Sequence, residues 1–98
     1  MEVKIEHKDA YVVSVTGRLD TVTSQELDLA IKNEPITENL VIFDFTNVEY
    51  ISSAGLRVLL ALKRDLDQQG KSLEIHNINA VVREIFGVTG FINALTIK

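Results

Sequence analysis

The run Leu40-Val41-Ile42-Phe43-Asp44-Phe45 constrains the fold of this chain more than any other stretch. It is short and almost wholly apolar, which predicts a central strand covered on both faces. A long helical pattern begins soon after it, at Leu56. Between the two lies Ile51-Ser52-Ser53-Ala54-Gly55-Leu56. A buried strand that hands over to a helix calls for a sheet with helices packed against it.

The flanking segments extend the pattern. Val3 to Ile5 and Tyr11 to Val15 read as two short strands, joined by the polar connection Glu6-His7-Lys8-Asp9-Ala10. The second strand alternates around Tyr11, Val13 and Val15, as a half-buried strand does. Gly17-Arg18-Leu19-Asp20 then breaks the alternation. Thr23-Ser24-Gln25-Glu26 has the form of a capping box, with Thr23 as N-cap, Glu26 reaching back, and Val22 and Leu27 at the staple positions. Leu27, Ala30 and Ile31 mark one face of the helix that follows, and Pro35, the only proline, ends it. The longest helix covers Arg57 to Gln69, with Leu56, Leu59, Leu60, Lys63 and Leu66 along one face and Gly70 as its C-cap. Ser72 to His76 is a further strand. Asn79 caps a third helix through Val82, Ile85 and Phe86, closed by Gly87 or Gly90, and Leu95 to Ile97 is a last strand. The order is ββαβαβαβ. It predicts a single α/β domain over residues 1–98, with a mixed sheet of four or five strands and three to four helices.

Composition removes several classes of function. Ninety-eight residues with 46% hydrophobic content can bury one core without metals or disulfides. No cysteine is present, so thiolate chemistry and Cys-based zinc sites are excluded. The net charge of -4, with scattered Lys and Arg, argues against direct nucleic-acid binding and against an anionic membrane surface. The start, Met1-Glu2-Val3-Lys4, lacks the apolar run of a signal peptide, and no stretch approaches the ~18 apolar residues of a membrane span. The expected setting is the cytoplasm. No Gly-rich phosphate loop or metal-spaced cluster occurs, so no cofactor and no tight nucleotide site are expected.

The serine pair admits three readings. In the first, Ser52 caps the long helix, and Ile51 and Leu56 fall at the staple positions. In the second, Ser53 is a nucleophile. The stretch lacks the leading glycine of a Gly-x-Ser-x-Gly elbow, and neither His7 nor His76 is tied to Ser53 by spacing. In the third, Ser53 is a phosphorylation switch. A phosphate brings ~-1.5 to -2 charges and three acceptors. A helix N-terminus tolerates it through the dipole and free N–H groups, whereas a docked partner would not.

Gly17-Arg18-Leu19-Asp20, Leu40 to Phe45 and Val48-Glu49-Tyr50-Ile51-Ser52-Ser53-Ala54-Gly55-Leu56, in this order and spacing, resemble the STAS-domain family. Within it the chain is most similar to the bacterial anti-sigma factor antagonists, and the similarity runs over essentially the whole chain. It implies a protein that is not an enzyme. Such a protein binds an anti-sigma factor that is also a serine kinase, and so frees a sigma factor. Phosphorylation of a serine at the start of the second helix weakens that binding, and a metal-dependent serine phosphatase reverses it. The family pattern at this place is Asp-Ser-Ser/Thr-Gly-Leu. Aligning Gly55 and Leu56 with it puts Ser53 at the phosphoacceptor, Ser52 where Asp is usual and Ala54 where the second hydroxyl residue is usual.

The resemblance also implies a partner face made of Asp20, Thr21, Thr23, Ser52, Ala54, Gly55 and Arg57. Asp20 matches the acidic residue of the family's first loop, although a turn role would explain it as well. Asp44 matches an aspartate at the end of the central strand, where a carboxylate bonding nearby backbone is the plainer account. Gly17 and Gly55 serve backbone conformation or close packing. Arg57 either pairs with a partner carboxylate or the phosphate, or is simply solvated. The alternative function is a STAS scaffolding or interaction module of a larger complex, without a phosphoswitch.

Overall fold

The computed structural model describes residues 1–98. Its elements are β1 (Glu2–His7), β2 (Tyr11–Leu19), α1 (Thr21–Asn33), β3 (Leu40–Ile51), α2 (Ser53–Gln68), β4 (Ser72–His76), α3 (Ala80–Thr89) and β5 (Thr96–Ile97). The order expected from sequence is the order found, with five strands and three helices. The strands form one sheet in the order β1-β2-β3-β4-β5. The β1–β2 hairpin is antiparallel, and every later pairing is parallel.

Each parallel step passes through a helix and moves the same way across the sheet. Right-handed crossovers then put all three helices on one face. Burial follows this layout. Val13 and Val15, then Val41, Phe43 and Phe45, then Leu73 and Ile75 join one core with Leu27, Leu56, Leu59, Leu66, Val82 and Phe86 from the helices. The intervening residues Val12, Ser14, Leu40, Ile42, Asp44, Glu74 and His76 are only half-buried. The expectation of a central strand covered on both faces is therefore corrected: one face is covered. On the open side Leu40 is paired only with Ser72 of β4, whereas Ile42 lies between two paired strands. Ile42 stands opposite Val12 on one neighbour and Glu74 on the other.

β2 and β3 also run further than the sequence pattern predicts. The β2–β3 register slips twice, so that Ser14 faces Asp44 but Thr16 faces Asn47, and Gly17 faces Val48 but Arg18 faces Tyr50. Each slip leaves one extra residue in β3, which is a β-bulge. Core-facing residues then recur at Phe45, Val48 and Ile51 rather than at every second position. This hides the strand from a period-two search. Gly17 does not end β2. It continues the strand with φ +102°, a conformation that favours glycine.

The helix ends follow local chemistry. Asn79 Oδ1 accepts from Val82 N–H at 2.8 Å and caps α3, as expected, and Gly90 closes that helix. At the end of α2 the C-cap is Gln69, with Gly70 one residue beyond it. The N–H groups of Gly70 and Lys71 return to the carbonyls of Asp67 and Leu66, a Schellman closure.

Candidate functional site

β2 and β3 run in parallel and end at the same pole. Their last residues, Leu19 and Ile51, are paired and fully buried. From each the chain turns at once into a helix, so the starts of α1 and α2 lie side by side. The Ser52 N–H ties them by donating to the Leu19 carbonyl at 2.8 Å. Both segments singled out from sequence, Asp20 to Thr23 and Ser52 to Arg57, come together here.

At the α2 start the two serines divide the work. Ser52 is the N-cap, in extended conformation, and its Oγ accepts from Gly55 N–H at 3.3 Å. The flanking Ile51 and Leu56 are buried in the core at the staple positions. The helical ladder begins with Leu56 N–H on the Ser52 carbonyl, which leaves the N–H groups of Ser53 and Ala54 ahead of it. Ser53 is the first helical residue. It is exposed, and its hydroxyl forms no hydrogen bond within the chain. Gly55 is needed for close approach. A Cβ there would lie 2.8 Å from Ile51 Cγ1 and 3.0 Å from both Leu19 Cγ and the Leu19 carbonyl oxygen.

At the α1 start the expected cap is corrected. Thr23 is not the N-cap; Asp20 is, and the helix begins at Thr21. Asp20 Oδ1 accepts from the N–H groups of Val22 and Thr23 at 3.1 and 3.0 Å, and the Asp20 N–H donates to Thr23 Oγ1 at 2.8 Å. Thr23 thus completes a capping box from the third helical position, and its hydroxyl also donates to the Arg18 carbonyl at 2.6 Å. Asp and Thr are both good N-caps. The buried end of β2 decides between them, because it turns the chain at Asp20. Val22 is 67% exposed and staples nothing. The Thr23 N–H first, then its hydroxyl, hold the Asp20 carboxyl below its ordinary value. Asp20 is therefore engaged in its own helix start.

A furrow of about 350 Å³ runs between α1 and α2 from this junction. Ala54 and Arg57 line its near end. Ser24, Val58, Ala61 and Asp65 also line it, and sequence reading did not single them out. The available signal was a second stripe on α2, Ala54-Val58-Ala61, beside the leucines that face the core. Also missed was the stacking of the Arg18 guanidinium 4.5 Å from the centre of the Tyr50 ring, on the two residues that precede the strand ends.

Neither histidine engages Ser53. His7 bridges Glu38 at 2.7 Å and Glu34 at 3.3 Å, beyond the first hairpin. His76 Nε2 lies 2.9 Å from Glu74. Asp44 accepts from the Thr46 hydroxyl and N–H and from Asn77 Nδ2. The Thr46 hydroxyl contributes most to holding its carboxyl below the ordinary value. Asp44 thus braces a bulge within β3, rather than ending the strand.

Residues 2–98 match the model of the STAS domain. An anti-sigma-B factor antagonist of Staphylococcus epidermidis is 32% identical over 88 residues, covering 88% of this chain and 81% of that protein. BtrV of Bordetella bronchiseptica is 39% identical over 56 residues, 57% of this chain and 48% of BtrV, so the match spans about half of that relative. Among solved structures, the anti-sigma factor antagonist SpoIIAA in its unphosphorylated form aligns with a TM-score of 0.81 at 18% identity, covering 99% of this chain and 88% of that one. SpoIIAA of Bacillus in its phosphorylated form aligns at 0.69 with 17% identity, covering 99% and 91%. At such identity the structural likeness is one of fold.

Proposed function

The chain belongs to the STAS domain family, and from that premise we propose that it is an anti-sigma factor antagonist switched by phosphorylation of Ser53. It binds an anti-sigma factor that is also a serine kinase, and in doing so frees a sigma factor. The binding face is the paired helix starts: Asp20, Thr21 and Thr23 on α1, and Ser52, Ala54, Gly55 and Arg57 on α2. In the switching step the kinase transfers the γ-phosphoryl group of ATP to Ser53 Oγ. The hydroxyl proton passes to a base on the kinase, and ADP leaves. A metal-dependent serine phosphatase hydrolyses the ester and resets the protein.

One observation carries this reading. Ser53 is exposed at the first position of α2 with an unengaged hydroxyl, while Ser52 does the capping. A phosphate on Ser53 therefore breaks no bond of the fold. The unladdered N–H groups and the helix dipole favour the added charge, so its cost falls on a docked partner. The anti-sigma factor relation is supported by the names of the curated relatives. The reading is of a binding protein rather than an enzyme, because the serine has no histidine base at hand.

The test is incubation with the cognate anti-sigma factor and ATP, followed by intact-mass measurement and binding titration. One phosphate is gained, on Ser53. Ser53→Ala gains none and stays bound, and Ser53→Asp binds about tenfold more weakly or worse. A chain that binds, gains no phosphate and is indifferent to Ser53→Asp is a scaffolding module instead.

A further inference from the structure

We propose that the furrow between α1 and α2 seats a segment of the anti-sigma factor that presents, in order, a carboxylate, an apolar anchor and a cation. The proposal rests on the antagonist reading above and goes on to specify the partner's chemistry at that face. Both helices are crossovers between parallel strands, so they descend from the same pole side by side. Small residues open the gap: Ala54 and Ala61 stand where larger side chains on α2 would close it. Val58 and Ala61 give it an apolar wall. The space of about 350 Å³ is within the range of built recognition clefts.

The charges give the furrow a direction. Arg57 lies near the Ser53 end and Asp65 at the far end, eight residues along α2, or about 12 Å along its axis. Neither forms an ion pair within the chain. Asp28, on the α1 side, is already held by Lys32 at 2.8 Å. A partner segment with opposite charges at that separation and an apolar residue between them satisfies both ends and the wall. This is the helix-in-groove mode of recognition.

The same layout couples the furrow to the switch. Ser53 and Arg57 are one helical turn apart, the spacing at which side chains on a helix meet. A phosphate on Ser53 claims the guanidinium that the partner's carboxylate needs, and it repels that carboxylate as well. Release then needs no change in the shape of the domain.

The experiment measures binding of the purified cognate anti-sigma factor to the wild type, Ala61→Trp, Asp65→Lys and Val88→Lys by isothermal titration at low and moderate salt. Ala61→Trp fills the furrow and weakens binding about tenfold or more. Asp65→Lys, an exposed change that leaves the fold intact, weakens it about fivefold or more, with the larger loss at low salt. Val88→Lys, on the exposed side of α3, binds like the wild type. If Ala61→Trp and Asp65→Lys bind like the wild type, or Val88→Lys is the variant that loses binding, the furrow proposal is overturned. If the wild type itself binds no anti-sigma factor, it is the antagonist reading that falls.

Discussion

Replacing Gly55 by alanine puts the packing at the start of α2 to a direct test. An alanine Cβ would lie 2.8 Å from Ile51 Cγ1 and 3.0 Å from the Leu19 carbonyl oxygen. Ile51 and Leu19 are both fully buried, and the carbonyl is fixed by its bond from Ser52 N–H at 2.8 Å. Neither neighbour can yield, so the start of α2 must lift from the end of β2. Overpacking of this kind costs ~1–3 kcal/mol. The higher helix propensity of alanine returns up to ~1 kcal/mol. With that return complete the net is a destabilisation of ~0–2 kcal/mol, or up to roughly 15 °C in Tm for a domain of this size. Gly87→Ala is the internal control. It lies inside α3 with nothing within 4 Å of its added Cβ, so the same chemical change stabilises by ~0.5–1 kcal/mol. Thermal and urea unfolding followed by circular dichroism would measure both. A Gly55→Ala protein stabilised as much as Gly87→Ala would show that the close approach does not govern the site.

The two serines separate in the same assay. Ser52→Ala removes the cap and lowers stability by ~0.5–1 kcal/mol, whereas Ser53→Ala stays within ~0.5 kcal/mol of the wild type. Equal losses would mean that the division of labour at the junction is wrong. The bridge at the opposite pole makes a pH prediction. His7 is raised above its ordinary 6.5, chiefly by its hydrogen bond to Glu38. Its contribution is therefore complete below that value and is lost as pH rises through the raised pKa. Stability should decline over that interval, and His7→Gln should flatten the decline. A ring-proton NMR titration placing His7 at or below 6.5 would refute the assignment.

Much of this protein was legible because its signals are local. Alternating and continuous apolar runs fixed the type and order of all eight elements. Asn79 and Ser52 showed themselves as caps, since a short polar side chain before an apolar helical stripe has few other uses. The errors arose where non-local geometry chose between equivalent local options. Thr23 and Asp20 were both competent caps, and the buried Leu19–Ile51 pairing selected Asp20. The second half of β3 was hidden because two bulges change the spacing of its core residues from two to three. The apolar run of β3 was read as two covered faces because Leu40 and Ile42 are apolar although they lie on the half-buried open face.

The sequence by itself determined the α/β order, the cap of α2 at Ser52 and the pair of serines between strand and helix. The resemblance to the STAS family singled out Ser53, through its register with Gly55 and Leu56. Only the tertiary structure decided that every helix lies on one face, that Gly55 answers to Leu19 across the sheet, and that Ser24, Asp28, Ala61 and Asp65 share a furrow with Arg57. The physical reason is one of range. Propensity, capping and periodicity act within a few residues, whereas a furrow depends on how two helices far apart in sequence settle on the same sheet.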